Sequence, residues 1–136
     1  MFNAITTAGT GLQTYQLWID ALGNNIANVN TITPTSGNAF QAQFVEAQAL
    51  PAGQDGVGGG VRATGLPGSD PNGIVTYDPG NPLADGQGYV RRPDIDLSEQ
   101  MGNLIMAQRA YQANATVVDR ATSVYEAGIA IGAKVR

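Results

Sequence analysis

Residues 5–30 read ITTAGTGLQTYQLWIDALGNNIANVN, and the spacing of their apolar members settles the architecture. Ile5, Ala8, Leu12, Tyr15, Ile19, Leu22, Ile26 and Val29 lie alternately three and four apart. That is a strict heptad, the pattern of a helix whose seam runs along another helix. Asn3 is placed to cap its start, and Asn30-Thr31 followed by Pro34 to stop it. At 1.5 Å per residue the predicted helix is roughly 40 Å long.

The other end of the chain repeats the device. Leu97, Met101, Leu104, Gln108, Tyr111, Ala115, Val118, Thr122, Tyr125 and Ile129 follow a four-three alternation, with Gln108 and Thr122 as polar interruptions. Asp96 with Glu99 three residues later has the form of a capping box, and Pro93 lies just upstream. Between the flanks the composition changes. All seven prolines and twelve of the 18 glycines fall between Thr31 and Asp96, a density hostile to helix. Phe40–Ala49, Val61–Leu66, Ile74–Tyr77 and Gly88–Arg92 read as short strands separated by turn chemistry. The expected fold class is therefore α+β. Residues 1–30 and 97–136 form a helical, coiled-coil inner domain, and 31–96 a small β-rich outer domain whose last part, 77–96, is a connecting segment.

Composition narrows the function. Only 13% of the 136 residues are charged, the net charge is −4, and there is no cysteine and no histidine. Thiolate and imidazole chemistry is excluded, with the zinc sites and nucleophile pairs built from them. An acidic chain with seven basic residues argues against nucleic acid or an anionic membrane as partner. No run of eighteen apolar residues exists to span a bilayer. Residues 1–30 hold no Lys or Arg, so the basic start of a secretory signal is missing.

Asp20 is the one ionised side chain in residues 1–30. Away from the seam stand Thr6, Thr7, Thr10, Gln13, Gln16, Asn24, Asn25 and Asn28, groups that can bond to protein without the desolvation cost of a charge. A helix so bare is suited to being surrounded. Two readings are open: an intramolecular hairpin over a small β-domain, or termini that order against other copies, and the second is favoured. Trp18, beside Ile19, has two readings, packing within a hairpin or against a neighbouring subunit, and the neighbour is favoured.

Other motifs have plainer readings. Gly58–Ala63 fits GxGxxA, but Thr64-Gly65-Leu66-Pro67 follows and cannot start a helix, so it is a turn and not a phosphate site. Asp94 and Asp96 could form an acid–base or metal pair; capping by Asp96 is the better account. No catalytic, cofactor-binding or metal-binding residue is assigned.

Three segments resemble the rod and hook axial proteins of the bacterial flagellum. Asn24-Asn25-Ile26-Ala27-Asn28-Val29-Asn30-Thr31 looks like the Asn-rich end of their first helix. The run from Tyr77-Asp78-Pro79-Gly80-Asn81-Pro82 through Gly88-Tyr89-Val90 to Pro93-Asp94-Ile95-Asp96 is similar to a proximal-rod member in particular. Met101, Ala107, Arg109, Tyr111, Gln112, Ala113 and Asn114 look like the start of the C-terminal helix. Gln100 stands where the family usually has Glu, and the tail after Ala121 is only loosely similar. The resemblance implies export through the flagellar type III apparatus without a cleaved signal. It also implies helical assembly with other rod subunits and with copies of the chain, and a place in the basal-body rod. The implied assembly interface is Ile5, Leu12, Tyr15, Trp18, Ile19, Leu22, Ile26 and Asn28 with Leu104, Arg109, Tyr111, Asn114, Val118, Tyr125 and Ile129. Tyr77, Pro79, Gly80, Asn81, Pro82, Gly88, Tyr89 and Pro93 form the implied linker. The rival reading is a secreted glycan- or surface-binding module with Tyr77, Tyr89 and Asp85 as its patch.

Overall fold

A computed structural model describes residues 2–52, 56 and 58–134. Helix α1 spans Phe2–Asn28 and α2 spans Leu97–Lys134. Between them lie β1 (Thr33–Pro34), β2 (Glu46–Ala49), β3 (Val61–Gly65), β4 (Ile74–Tyr77) and β5 (Tyr89–Arg92). The α+β architecture is as expected. Strand β1 is an addition to the sequence reading, and α1 already includes Asn3, so that residue is not its cap.

The helices run antiparallel, and two contacts fix their register. Asn25 bonds to Gln100, and the backbone of Gly11 lies against the side chain of Asn114. Gly11 is fourteen residues before Asn25, and Asn114 fourteen after Gln100, as an antiparallel pair requires. On this register Phe2 lies level with residue 123. Residues 124–134 of α2 therefore run about 16 Å past the start of α1. Every described side chain from Thr122 onward is exposed.

The α2 seam departs from the expected one. The enclosed or half-enclosed line is Gln100, Leu104, Ala107, Tyr111, Asn114, Val118 and Ala121, a strict four-three heptad. Leu104, Tyr111 and Val118 belong to both lines; Leu97, Met101, Gln108, Thr122, Tyr125 and Ile129 are exposed. The reason is close approach. Opposite α2 stand Ala8, Gly11 and Ala21, and a Cβ on Gly11 would lie 3.0 Å from the Asn114 amide. A tightly spaced pair of helices has room for small and hydrogen-bonded polar residues between them. Large apolar residues therefore misidentify the inner side of α2. The α1 seam does face inward: Ala8 and Leu22 are buried and its other members half-buried.

The middle segment makes two antiparallel sheets, β1-β5-β4 and the β2-β3 hairpin. The hairpin docks on α1, where Thr10 Oγ1 accepts from Val61 N at 3.1 Å and Thr7 Oγ1 donates to Gly58 O at 3.3 Å. Val61–Gly65 continues the Gly-rich run as strand and not helix, in accord with the turn reading of the GxGxxA pattern. Buried apolar side chains in the middle are few, chiefly Ala39, Ala42 and Val90. At the end of α1, Asn28 Nδ2 donates to Asn24 O at 2.9 Å and its Oδ1 accepts from Thr31 Oγ1 at 3.1 Å, closing the helix.

Candidate assembly surface

Helix α2 carries a second apolar line that is exposed among the described residues. Met106, Ala113, Val117, Val124 and Ile131 are spaced 7, 4, 7 and 7, which sets them on one side of the helix. That side is about 100° round from the line that meets α1. Met106 is 55% exposed, Val117 45%, Val124 58% and Ile131 67%. Leu97, Met101, Ile105 and Ile129 add further exposed apolar surface. Large apolar side chains exposed along one side of a helix are suited to contact with another molecule. Covering what is exposed of the four large side chains is worth on the order of 4 kcal/mol.

The sequence-derived interface residues divide into three groups. Leu22 is buried, while Ile5, Leu12, Tyr15, Ile19, Ile26, Leu104, Tyr111, Asn114 and Val118 are half-buried between or beside the two helices. Arg109, Tyr125 and Ile129 are exposed on α2, the last two in the part that overruns α1. Trp18, expected against a neighbouring subunit, stands on the side of α1 that faces the β2-β3 hairpin. It is half-buried and forms one wall of a groove of about 240 Å³, together with Thr14, Tyr15, Val45, Ala47 and Val61. Its ring lies 6.2 Å from that of Tyr15. Asn28 and Asn114 turn their amides to their own helices, Asn114 Nδ2 donating to Ala110 O at 3.1 Å.

The uncharged side of α1 is also partly used within the chain. Thr7, Thr10, Asn24 and Asn25 bond to the β-rich middle, and Gln16 to Asp20. What faces outward is a strip of Gly9, Gln13, Gln16, Asp20, Gly23 and Ala27.

The first part of segment 77–96 belongs to the hairpin of β4 and β5. Tyr77 pairs with Tyr89 across the β4-β5 hairpin, their rings edge to face at 5.2 Å, and only residues 93–96 connect to α2. The loop between the strands is organised by Asp85. Its Oδ1 accepts from Gln87 N and Tyr89 N, each at 2.9 Å, and its Oδ2 from Thr35 Oγ1 at 2.9 Å. The Tyr89 and Gln87 amides hold the Asp85 carboxyl below its ordinary pKa. Gly88 has φ +85°, and a Cβ there would meet the Tyr77 ring at 2.9 Å and Pro79 at 3.0 Å. Pro93 is buried; Pro79, Gly80 and Pro82 are exposed, and Asn81 Nδ2 donates to Asp78 Oδ2 at 3.1 Å.

Asp96 caps α2, its Oδ1 accepting from Ser98 N at 2.8 Å and Glu99 N at 3.2 Å. Among the described residues no group of three or more acidic residues is gathered to hold a metal ion. Among them, too, no helix is long and apolar enough to cross a membrane. The sequence reading missed the outer line of α2, although its 7-4-7-7 spacing was visible once the inner line was known. It also missed Asn25 and Gln100, which are polar and buried.

Residues 5–33 match the family described as "Flagella basal body rod protein", and residues 87–131 the one described as "Flagellar basal body rod FlgEFG protein C-terminal". The chain is similar to the flagellar basal-body rod protein FlgC of Borreliella burgdorferi, at 33% identity over 96% of this chain and 97% of that one. FlgC of Yersinia enterocolitica is 33% identical, and that of Salmonella typhimurium 32%, each over 97% of this chain and 98% of the relative.

Proposed function

This chain belongs to the FlgC family of flagellar basal-body rod proteins, and from that premise we propose that the exposed side of α2 is what builds it into the rod. It is a structural subunit of the basal-body rod and works alongside other rod components. The finer reading is that it sits at the proximal end of the rod, contacts copies of itself as well as other rod subunits, and performs no catalysis. The observation that carries this reading is the exposed line of Met106, Val117, Val124 and Ile131, whose last two members lie in the part of α2 that runs past the start of α1. Neighbouring helices that cover this line make contacts of two different surfaces, which propagate a helical tube where the rotation between copies does not close. Passage unfolded through the type III export apparatus is supported by the absence of cysteine, since no disulfide can hold the chain folded.

The rival ligand patch is poorly supplied. The Asp85 carboxylate spends both oxygens on Gln87, Tyr89 and Thr35, and the Tyr77 and Tyr89 rings pack on each other. The test is the pair Val117→Asp with Val124→Asp. Both side chains point outward, so the isolated chain keeps its circular dichroism while incorporation into rods and motility are lost. Normal rods from this variant would remove α2's outer line from the assembly.

A further inference from the structure

Asn25 is wholly enclosed, at 0% exposure, three residues before the end of α1. Its Nδ2 donates to Gln43 O at 2.9 Å and to Gln100 Oε1 at 3.0 Å. Its Oδ1 accepts from Gln43 N at 2.8 Å. One primary amide thus uses both its donors and its acceptor, and bonds the N–H and the C=O of a single residue as a neighbouring strand would. Through it, α1, the entry to the β-rich middle and the first turn of α2 meet at one point. Gln100, itself 5% exposed, holds the amide from the far side.

A second attachment lies fifteen residues, about 22 Å, back along α1, where Thr10 takes the Val61 amide. Attached near Thr7 and Thr10 alone, the middle could swing on the helix; attached also at the enclosed Asn25, beside the exposed Asn24–Gln43 bond, it has one orientation. We infer that Asn25 is the positioning residue that fixes the β-rich middle on the helical pair. The inference stands on the bonds of the fold and does not depend on the rod assignment.

Few other side chains can take this place. Aspartate has the acceptor but lacks the two donors, and leucine takes from the half-buried Gln43 the partners of both its backbone groups. The experiment uses the full-length chain, labelled for NMR, with Asn25→Ala and Gln100→Ala variants. Amide exchange at Gln43 reads the bond, and residual dipolar couplings of β3 against α1 read the orientation. In the parent chain the Gln43 amide is protected and one orientation fits both elements. Asn25→Ala speeds Gln43 exchange at least tenfold and scales down the β3 couplings, while α1 keeps its own. Gln100→Ala reduces the β3 couplings with Gln43 still partly protected, and it decides the matter should Asn25→Ala not fold. An unprotected Gln43 amide in the parent chain overturns the inference. So do β3 couplings that neither variant changes. A chain that passes these tests yet never enters rods contradicts only the functional reading.

Discussion

Asn25 Nδ2 lies 3.0 Å from Gln100 Oε1, joining two enclosed side chains 75 residues apart in the chain. A neutral amide at position 100 suits this place, because a carboxylate there would be buried without a cation beside it among the described bonds. Gln100→Leu removes one of the two acceptors of the Asn25 amide. The expected cost is about 1–3 kcal/mol, read as a lowered denaturant midpoint with an unchanged slope.

Asp85 supplies the pH dependence of the 78–88 loop. Its folded-state pKa is depressed by the Tyr89 and Gln87 amides, then by Thr35 and Gly88. The contribution is therefore complete above the ordinary carboxylate value of 3.8 and fades as pH falls through the lower folded value. Amide shifts of Gln87 and Tyr89, followed by NMR in acid, are expected to titrate together with a midpoint under 3.8. Asp85→Asn abolishes that titration; a midpoint at or above the ordinary value contradicts the hydrogen-bond assignment.

Gly23 lies on the outward strip of α1, where an added Cβ meets nothing within 4 Å. Alanine there raises helix propensity by about 1 kcal/mol, so Gly23→Ala stabilises the isolated chain in thermal unfolding. Gly11→Leu is expected to act in the opposite sense. Its side chain would be driven into Asn114, at a cost of about 1–3 kcal/mol. Equal melting temperatures for the two variants would contradict the placement of these glycines.

The particular residues explain what the sequence made legible. The α1 seam was readable because its inner positions, such as Leu12, Ile19 and Leu22, are also its large apolar ones. The α2 seam was readable only at Leu104, Tyr111 and Val118. Its other members are Gln100, Ala107, Asn114 and Ala121, small or polar residues whose burial depends on how closely α1 approaches. That approach is set by Gly11, and periodicity carries no information on interhelical distance. Strands β2 to β5 were marked by the turns between them, but β1 is two residues long and exists only because β5 pairs with it. The groove beside Trp18 was not legible, since the docking of β2-β3 on α1 depends on Thr10 meeting Val61, a contact 51 residues apart. The Asn-rich end of α1 was recognised as a motif, while its bond to Gln43 needed the fold.

The length of α2 past α1 offers the most direct measurement. Amide exchange over residues 124–133 should be compared between dilute chain and chain incorporated in rods. With assembly supplying the missing cover, these amides exchange rapidly in dilute solution and become protected by at least tenfold in the rod. Amides already protected in dilute chain, to the same degree at every concentration and in the rod, would contradict a helix completed by its neighbours.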